Sequence, residues 1–209
     1  MITGASRGIG LALVKWFSAN QHKVWAISRN KKPITQLNLP NVTSSTLDLT
    51  DEAAVVAWSQ NMAPDIIDAL INNAGKLLNK PFADTQQSDF ETVFRVNVFG
   101  LANITRALLK KLQPGGHVVN ISSMGGIGGT LKFPGLAAYS SSKGAVSILT
   151  ELLAEEFKES GPTVNALALG AVQTEMLTEA FPDLEVPMTA ANMADYIAKF
   201  ALDGQLFYN

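Results

Sequence analysis

The sequence has no cysteine, only two histidines and no long uninterrupted apolar run, and each shortage removes a class of function. Without cysteine there is no disulfide framework, no thiol nucleophile and no thiolate metal site. His22 and His117 lie far apart with no ligand spacing around either, which argues against a metal centre and against a histidine-based triad. No stretch approaches the roughly 20 apolar residues that cross a bilayer, and the N-terminus lacks a basic-then-apolar leader. Charge is sparse and balanced: 16 Lys and Arg face 18 Asp and Glu, for a net charge of -2. A nucleic-acid surface needs a basic excess that is absent here. The expectation is a cytoplasmic protein with neither nucleic-acid nor membrane partner. Its 209 residues suffice for one substantial domain, and no repeat or linker interrupts them.

Glycine is not scarce, and its placement is informative. Met1-Ile2-Thr3 runs into Gly4-Ala5-Ser6-Arg7-Gly8-Ile9-Gly10, followed by an amphipathic stripe of Leu13, Val14 and Phe17. A glycine turn between a strand and a helix lets a pyrophosphate approach the backbone and rest at the helix N-terminus. The spacing is GxxxGxG rather than GxGxxG. Residues 23–27 read as a buried strand ending in Ser28-Arg29-Asn30. A dinucleotide fold that takes an unphosphorylated ribose carries an acid about twenty residues after the turn. Here that place holds Ser28 and Arg29, with Lys31 and Lys32 behind them and Arg7 inside the turn. Arginine suits a 2′-phosphate, which a carboxylate would repel; the plainer alternative is a solvated basic loop.

Further along, residues 33–41 form a polar loop, and 43–47 a strand ending at Asp48-Leu49. Residues 51–62 form a helix capped by Thr50 or Asp51. The strand at 66–71 stops at Asn72-Asn73-Ala74-Gly75, where small and amide residues permit close approach. A long helix over 89–111 carries one polar residue, Asn97, among apolar neighbours, and Pro114-Gly115-Gly116 breaks it. The strand 117–121 ends in Ser122-Ser123 and opens into a glycine-rich, mobile loop over 124–137. The strand 163–169 leads to Gly170 and Thr174. Residues 176–187 are less regular, a substrate lid within a substrate-loop region of about 174–188. Thr189 caps a helix to about Leu202, and 205–208 form a last short strand. Alternating strands and helices predict a doubly wound, Rossmann-type α/β domain over 1–209, with a mostly parallel sheet and helices on both faces.

The helix after the glycine loop opens on Ala138-Tyr139-Ser140-Ser141-Ser142-Lys143, with Val146, Leu149, Leu152, Leu153 and Phe157 at helical spacing. Tyr139 and Lys143, four apart, leave the same face. A nearby ammonium stabilises a phenolate and lowers the phenol pKa from about 10, so such a pair can exchange a proton with a substrate oxygen. A helix start that merely contains both residues is the alternative.

Taken together and in order, Thr3-Gly4-Ala5-Ser6-Arg7-Gly8-Ile9-Gly10, Asp48, Asn72-Asn73-Ala74-Gly75, Asn97, Ser123, Tyr139 and Lys143 resemble the short-chain dehydrogenase/reductase family over essentially the whole chain. The resemblance implies about seven parallel strands, a nicotinamide cofactor and a tetrad of Asn97, Ser123, Tyr139 and Lys143, with Ser123 rather than Ser122 the catalytic serine. It implies that Gly4, Ser6, Arg7, Gly8, Ile9, Gly10, Ser28, Arg29, Asp48, Leu49, Asn73, Ala74, Gly75, Gly170 and Thr174 hold that cofactor, along with Tyr139 and Lys143. Together with Arg7 and Arg29, it implies NADP(H) in preference to NAD(H) and a small carbonyl or alcohol substrate. It also implies a homodimer or homotetramer built through helices 89–112 and 139–157. Three departures stand out: a longer gap between Ser123 and Tyr139, Leu169-Gly170 where the family has Pro-Gly, and a first strand of only Met1-Ile2-Thr3. A cofactor-binding regulator on the same fold is the alternative function. An epimerase or dehydratase is disfavoured by the glycine spacing. Leu131, Phe133, Leu136, Met176 and Phe181 point to an apolar substrate pocket, or equally to core or interface.

Overall fold

The computed structural model describes residues 1–204. Six parallel strands form one sheet: β1 Ile2–Thr3, β2 Val24–Ser28, β3 Val42–Thr46, β4 Ile67–Asn72, β5 Leu112–Ser123 and β6 Thr163–Leu169. Their order is β3-β2-β1-β4-β5-β6. The chain winds outward to one edge and then, from β1, to the other, so the crevice between β1 and β4 opens at the strands' carboxyl ends. The seventh strand expected at 205–208 lies outside the described residues.

Both faces of the sheet are covered, so strands β2, β4 and β5 carry apolar residues toward both, while the edge strand β3, Val42-Thr43-Ser44-Ser45-Thr46, is polar and largely uncovered. Adjacent strand residues face opposite cores. Ala26, Ile71 and Val119 join one apolar cluster, and Ile27, Leu70 and Val118 the other. The first cluster takes Leu13, Val14 and Phe17 of α1 (Gly8–Ala19) and Met193, Ala194 and Ile197 of the last helix, Ala190–Asp203. The second takes Val55 and Trp58 of α3 (Glu52–Asn61), with Ile104 and Leu108 of α5 (Leu101–Leu108). Between β2 and β3, where a polar loop was expected, Lys32–Thr35 forms a short helix, α2, with Pro33 in its first turn.

The helix read over 89–111 is built in pieces: α4 Gln87–Phe94, a π-helical stretch Arg95–Gly100, α5, and a closing turn Leu109–Lys111. Pro114-Gly115-Gly116 does not end it. Those residues fall inside β5, where the pairing with β4 jumps from Ile67–Leu112 to Ala69–His117, and Gly115 takes φ +79°. The bulge absorbs the extra residues. α6 spans Ala137–Phe157. The stretch after β6 contains a helix, α7 Glu175–Ala180, and α8 is the Ala190–Asp203 helix already described. Asp51, Thr174 and Thr189 cap α3, α7 and α8 by accepting from Ala54 N (3.0 Å), Leu177 N (3.3 Å) and Asn192 N (3.1 Å).

The short β1 is completed by Met1. Its carbonyl accepts from Ile71 N at 2.9 Å, and its ammonium donates to Ala69 O at 2.6 Å. Burial pushes that amine down to about 5.

Candidate active site

The turn after β1 is shaped by backbone that only glycine adopts cheaply: φ is +65° at Gly4 and +52° at Gly8. A Cβ on Gly10 would lie 2.2 Å from Gly4 O, so the turn closes tightly on the start of α1. Asn73 Nδ2 donates to Thr3 O (3.0 Å) and Gly4 O (3.2 Å), and Ala74 N donates to Thr3 Oγ1 (3.1 Å). The end of β4 is thereby fastened to the turn. Arg7 occupies the N-cap of α1 with no side-chain cap, leaving the first-turn amides and the positive end of the helix to a ligand.

From this turn a cleft of about 920 Å³ runs past Ser28-Arg29, Asp48-Leu49 and Asn73–Gly75 to Ser123, Tyr139 and Lys143, with Gly170 and Thr174 opposite. Of the residues expected at the site, Ser6 and Ile9 line it too; Gly10 and Asn97 do not. Gly10 packs beneath the turn. Asn97 is buried in the π-helical stretch, where Nδ2 donates to Lys76 O (3.0 Å) and Ser142 Oγ (2.8 Å) and Oδ1 accepts from Lys76 N (2.7 Å). π-helical turns recur at functional sites because they re-aim one side chain. A Cβ on Gly75 would lie 3.6 Å from Asn97 Oδ1 and 3.7 Å from Lys143 Nζ, so glycine keeps open the space those two atoms border.

Ser122 and Ser123 have separate tasks because neighbouring strand residues face opposite ways. Ser122 is buried against α6, its Oγ donating to Lys143 O (3.0 Å) and paired with Ser147 Oγ (2.9 Å). Ser123 lies on the cleft wall, accepts from Gly125 N (3.2 Å) and stands beside the Tyr139 hydroxyl, whose pKa it draws down. One helical turn on, Lys143 Nζ donates to Ile121 O (2.7 Å) and stands 5.8 Å from the Tyr139 ring centroid.

The electrostatics correct one expectation. Lys143 does not draw the Tyr139 pKa down here. Burial holds the phenol above its ordinary value of 10, opposed by the bond to Ser123. Burial instead moves the lysine, whose ammonium falls to about 8. Both groups are desolvated, and the ammonium is committed to a carbonyl rather than to the phenol oxygen.

On the cleft wall beside Ser28-Arg29, Asp48 is held below the usual carboxylate range by hydrogen bonds from Thr50, N at 2.9 Å and Oγ1 at 2.8 Å, with Arg29 adding attraction. Arg7, expected to await a phosphate, forms a two-pronged ion pair with Glu179 of α7, with Nη2 to Oε2 at 3.1 Å.

Phe133, Leu136, Met176 and Phe181 line the cleft as expected. Leu131 does not, being 75% exposed. The loop 124–137 is held at both ends. A Cβ on Gly126 would lie 2.6 Å from Gly144 N, and Lys80 N donates to Gly135 O at 2.9 Å. Sequence reasoning missed the wall supplied by Ser88, Thr92 and Arg95. Their spacing puts them on one helical face, but a polar face beside an apolar stripe reads as solvated surface. Among the described residues no cluster of metal-ligating side chains occurs, and no helix is long and apolar enough to cross a membrane.

The short chain dehydrogenase family model matches residues 1–185. The carbonyl reductase [NADPH] 2 of Sus scrofa is 34% identical over 192 residues, covering 89% of this chain and 76% of that one. The NADPH-dependent pterin aldehyde reductase of Arabidopsis thaliana is 34% identical over 192 residues, covering 87% and 77%. The solved structure of ElxO with NADP bound superposes with a TM-score of 0.79 at 29% identity, covering 96% and 89%.

Proposed function

The chain belongs to the short chain dehydrogenase family and is an NAD(P)-dependent oxidoreductase, and from that premise we propose that it uses NADPH to reduce an aldehyde or ketone, or runs the reverse oxidation, with Tyr139 as the proton donor. The cleft fits such a cofactor. The uncapped first turn of α1 suits a pyrophosphate, and a side chain at Gly170 would meet nothing within 4 Å. Gly4, Ser6, Arg7, Gly8 and Ile9 take the phosphates in this reading. Gly10 shapes the turn, and Ser28, Arg29, Asp48 and Leu49 take the adenosine. Asn73, Ala74, Gly75, Tyr139, Lys143, Gly170 and Thr174 take the remainder. When bound, the reduced nicotinamide supplies the hydride.

The remaining chemistry belongs to the protein. Ser123 Oγ donates to the carbonyl oxygen and fixes its position beside Tyr139. As the carbonyl carbon is reduced, the Tyr139 hydroxyl delivers its proton to the developing alkoxide, a contribution of roughly 10²–10⁴-fold. In this reading Lys143, bonded to Ile121 O in the free protein, turns its ammonium toward the phenol oxygen as the proton leaves and stabilises the phenolate left behind. Asn97 Oδ1 and Lys143 Nζ border the space kept open by Gly75, which suits a water that returns a proton from solvent. The Tyr139 hydroxyl on the cleft wall beside Ser123, with Lys143 one turn away, carries this reading. A panel of aldehydes, ketones and quinones with NADPH, followed by loss of reduced-nicotinamide absorbance, tests it. Binding of NADPH without turnover of any member would favour a regulator.

Assembly as a homodimer or homotetramer fits the exposed apolar side chains of Phe99, Ile148 and Leu152 on the expected helices. Light scattering at working concentration decides between these states and a monomer.

A further inference from the structure

α7 lies across the glycine-rich turn and presents it with negative charge. Its cap Thr174 and first residue Glu175 sit against Gly8, where a Cβ would meet Thr174 Cγ2 at 3.4 Å and Glu175 Oε2 at 3.5 Å. One turn along α7, Glu179 grips both terminal nitrogens of Arg7. The pair is exposed, its side chains 48% and 61% accessible, and it joins residues 172 positions apart. No packing demand explains a bidentate pair there. A carboxylate fork on a guanidinium has the geometry by which a phosphate is also held.

We propose that Glu179 is a specificity-determining residue for the cofactor: its carboxylate occupies Arg7 in place of a 2′-phosphate and fastens α7 over the cleft until a 2′-phosphorylated adenosine takes the guanidinium over. The proposal rests on the NADP(H) reading above and adds to it a residue and a consequence. A 2′-phosphate competes with Glu179 for one guanidinium and brings its own charge beside Glu175 and Glu179. An adenosine lacking that group leaves the pair intact and α7 fastened. Release of α7 is thus coupled to the ribose substituent, through a helix that also supplies Met176 and Leu177 to the cleft wall.

The experiment measures binding of 2′,5′-ADP and of ADP to the full chain, unaltered and as Glu179→Gln, together with hydrogen exchange of the α7 amides. Removal of the competing charge is expected to tighten 2′,5′-ADP by about threefold to fivefold, the range of an exposed ion pair, and to leave ADP unchanged. In Arg7→Gln, where only repulsion and no competition remains, adding Glu179→Gln tightens 2′,5′-ADP by less than it does beside Arg7 and leaves ADP unchanged. In the unaltered protein 2′,5′-ADP speeds exchange of α7 and ADP does not. If the unaltered protein binds both nucleotides equally, the NADP(H) reading falls and this proposal with it. If it prefers 2′,5′-ADP but Glu179→Gln leaves that affinity unchanged or weakens it, only the competition is overturned.

Discussion

Lys143 Nζ stands 5.8 Å from the centre of the Tyr139 ring and donates a hydrogen bond to Ile121 O at 2.7 Å, so the lysine is anchored to the sheet beside the phenol rather than paired with its oxygen. α6 places both residues on one face, and β5 supplies the carbonyl and the Ser123 hydroxyl. The geometry depends on a single register between helix and strand, held by Ser122.

Removing the phenol hydroxyl alone tests the proton donor. Tyr139→Phe keeps the ring, so folding and NADPH binding are expected to stay near their original values while turnover drops about 10²-fold or more. Lys143→Met is expected to lose turnover and cofactor affinity together. Full turnover by Tyr139→Phe would assign the proton to water or to Ser123.

The lysine gives the reaction its pH dependence. A group at about 8 in the free protein is charged below that pH, so kcat/KM for reduction should fall as pH rises through about 8, and that limb should vanish in any residual activity of Lys143→Met. The same burial costs stability. With the folded value below the ordinary 10.5, the unfolded chain binds the extra proton between these values and stability rises with pH across that window. Below it the cost is full, so Lys143→Met is expected to raise the Tm measured at pH 7. A lower Tm would show the ammonium bond to Ile121 outweighs its desolvation.

Cofactor choice should rest first on Arg29, since Arg7 is engaged by Glu179. One charge-assisted bond contributes roughly 1.5–3 kcal/mol, which corresponds to about tenfold or more in favour of NADPH over NADH. Arg29→Asp should reverse the order by repelling the 2′-phosphate and accepting from a 2′-hydroxyl. Comparison of kcat/KM for the two cofactors settles it, and equal values in the unaltered protein would sink the assignment.

The elements were legible where local pattern decides them. Val118 and Val119 belong to a strand buried on both faces and form an apolar run that needs no partner to be recognised. Asp51 and Thr189 announce helix starts chemically. Most residues that line the cleft were legible as glycines, amides and hydroxyls at strand ends. What was hidden depends on distant neighbours. Nothing near Arg7 in sequence reveals Glu179. Nothing in the apolar stripe around Asn97 announces a π-helical turn, and Leu131 resembles Leu136 until one is seen exposed and the other buried. Pro114-Gly115-Gly116 misled because a proline that ends a helix and one that sits in a bulge carry the same local signal.

Two buried bases predict how the fold responds to acid. His117 has no exposure, is held between Ala201 O (3.2 Å) and Asn165 Oδ1 (2.8 Å), and lies below its ordinary 6.5, chiefly through burial. The Met1 amine falls from 8.0 to about 5 for the same reason. In each case the folded state refuses a proton that the unfolded chain accepts, so stability rises with pH across the window. For Met1 that window runs from about 5 to 8, and its three pH units correspond to at most about 4 kcal/mol. For His117 the loss begins as pH drops through 6.5. Asp48, Asp89, Glu179 and Asp195 have lowered values and lose their contribution only at pH below the ordinary carboxylate range, so they do not mask the effect. The Tm is therefore expected to fall steadily from pH 8 to pH 5. Adding four or five apolar residues ahead of Met1 turns its titratable amine into an amide and lengthens β1. That change should raise the Tm at pH 6 and flatten the slope between pH 8 and 5, leaving the part due to His117. A Tm that is level across this range in the unaltered chain would show that neither base stays buried and neutral.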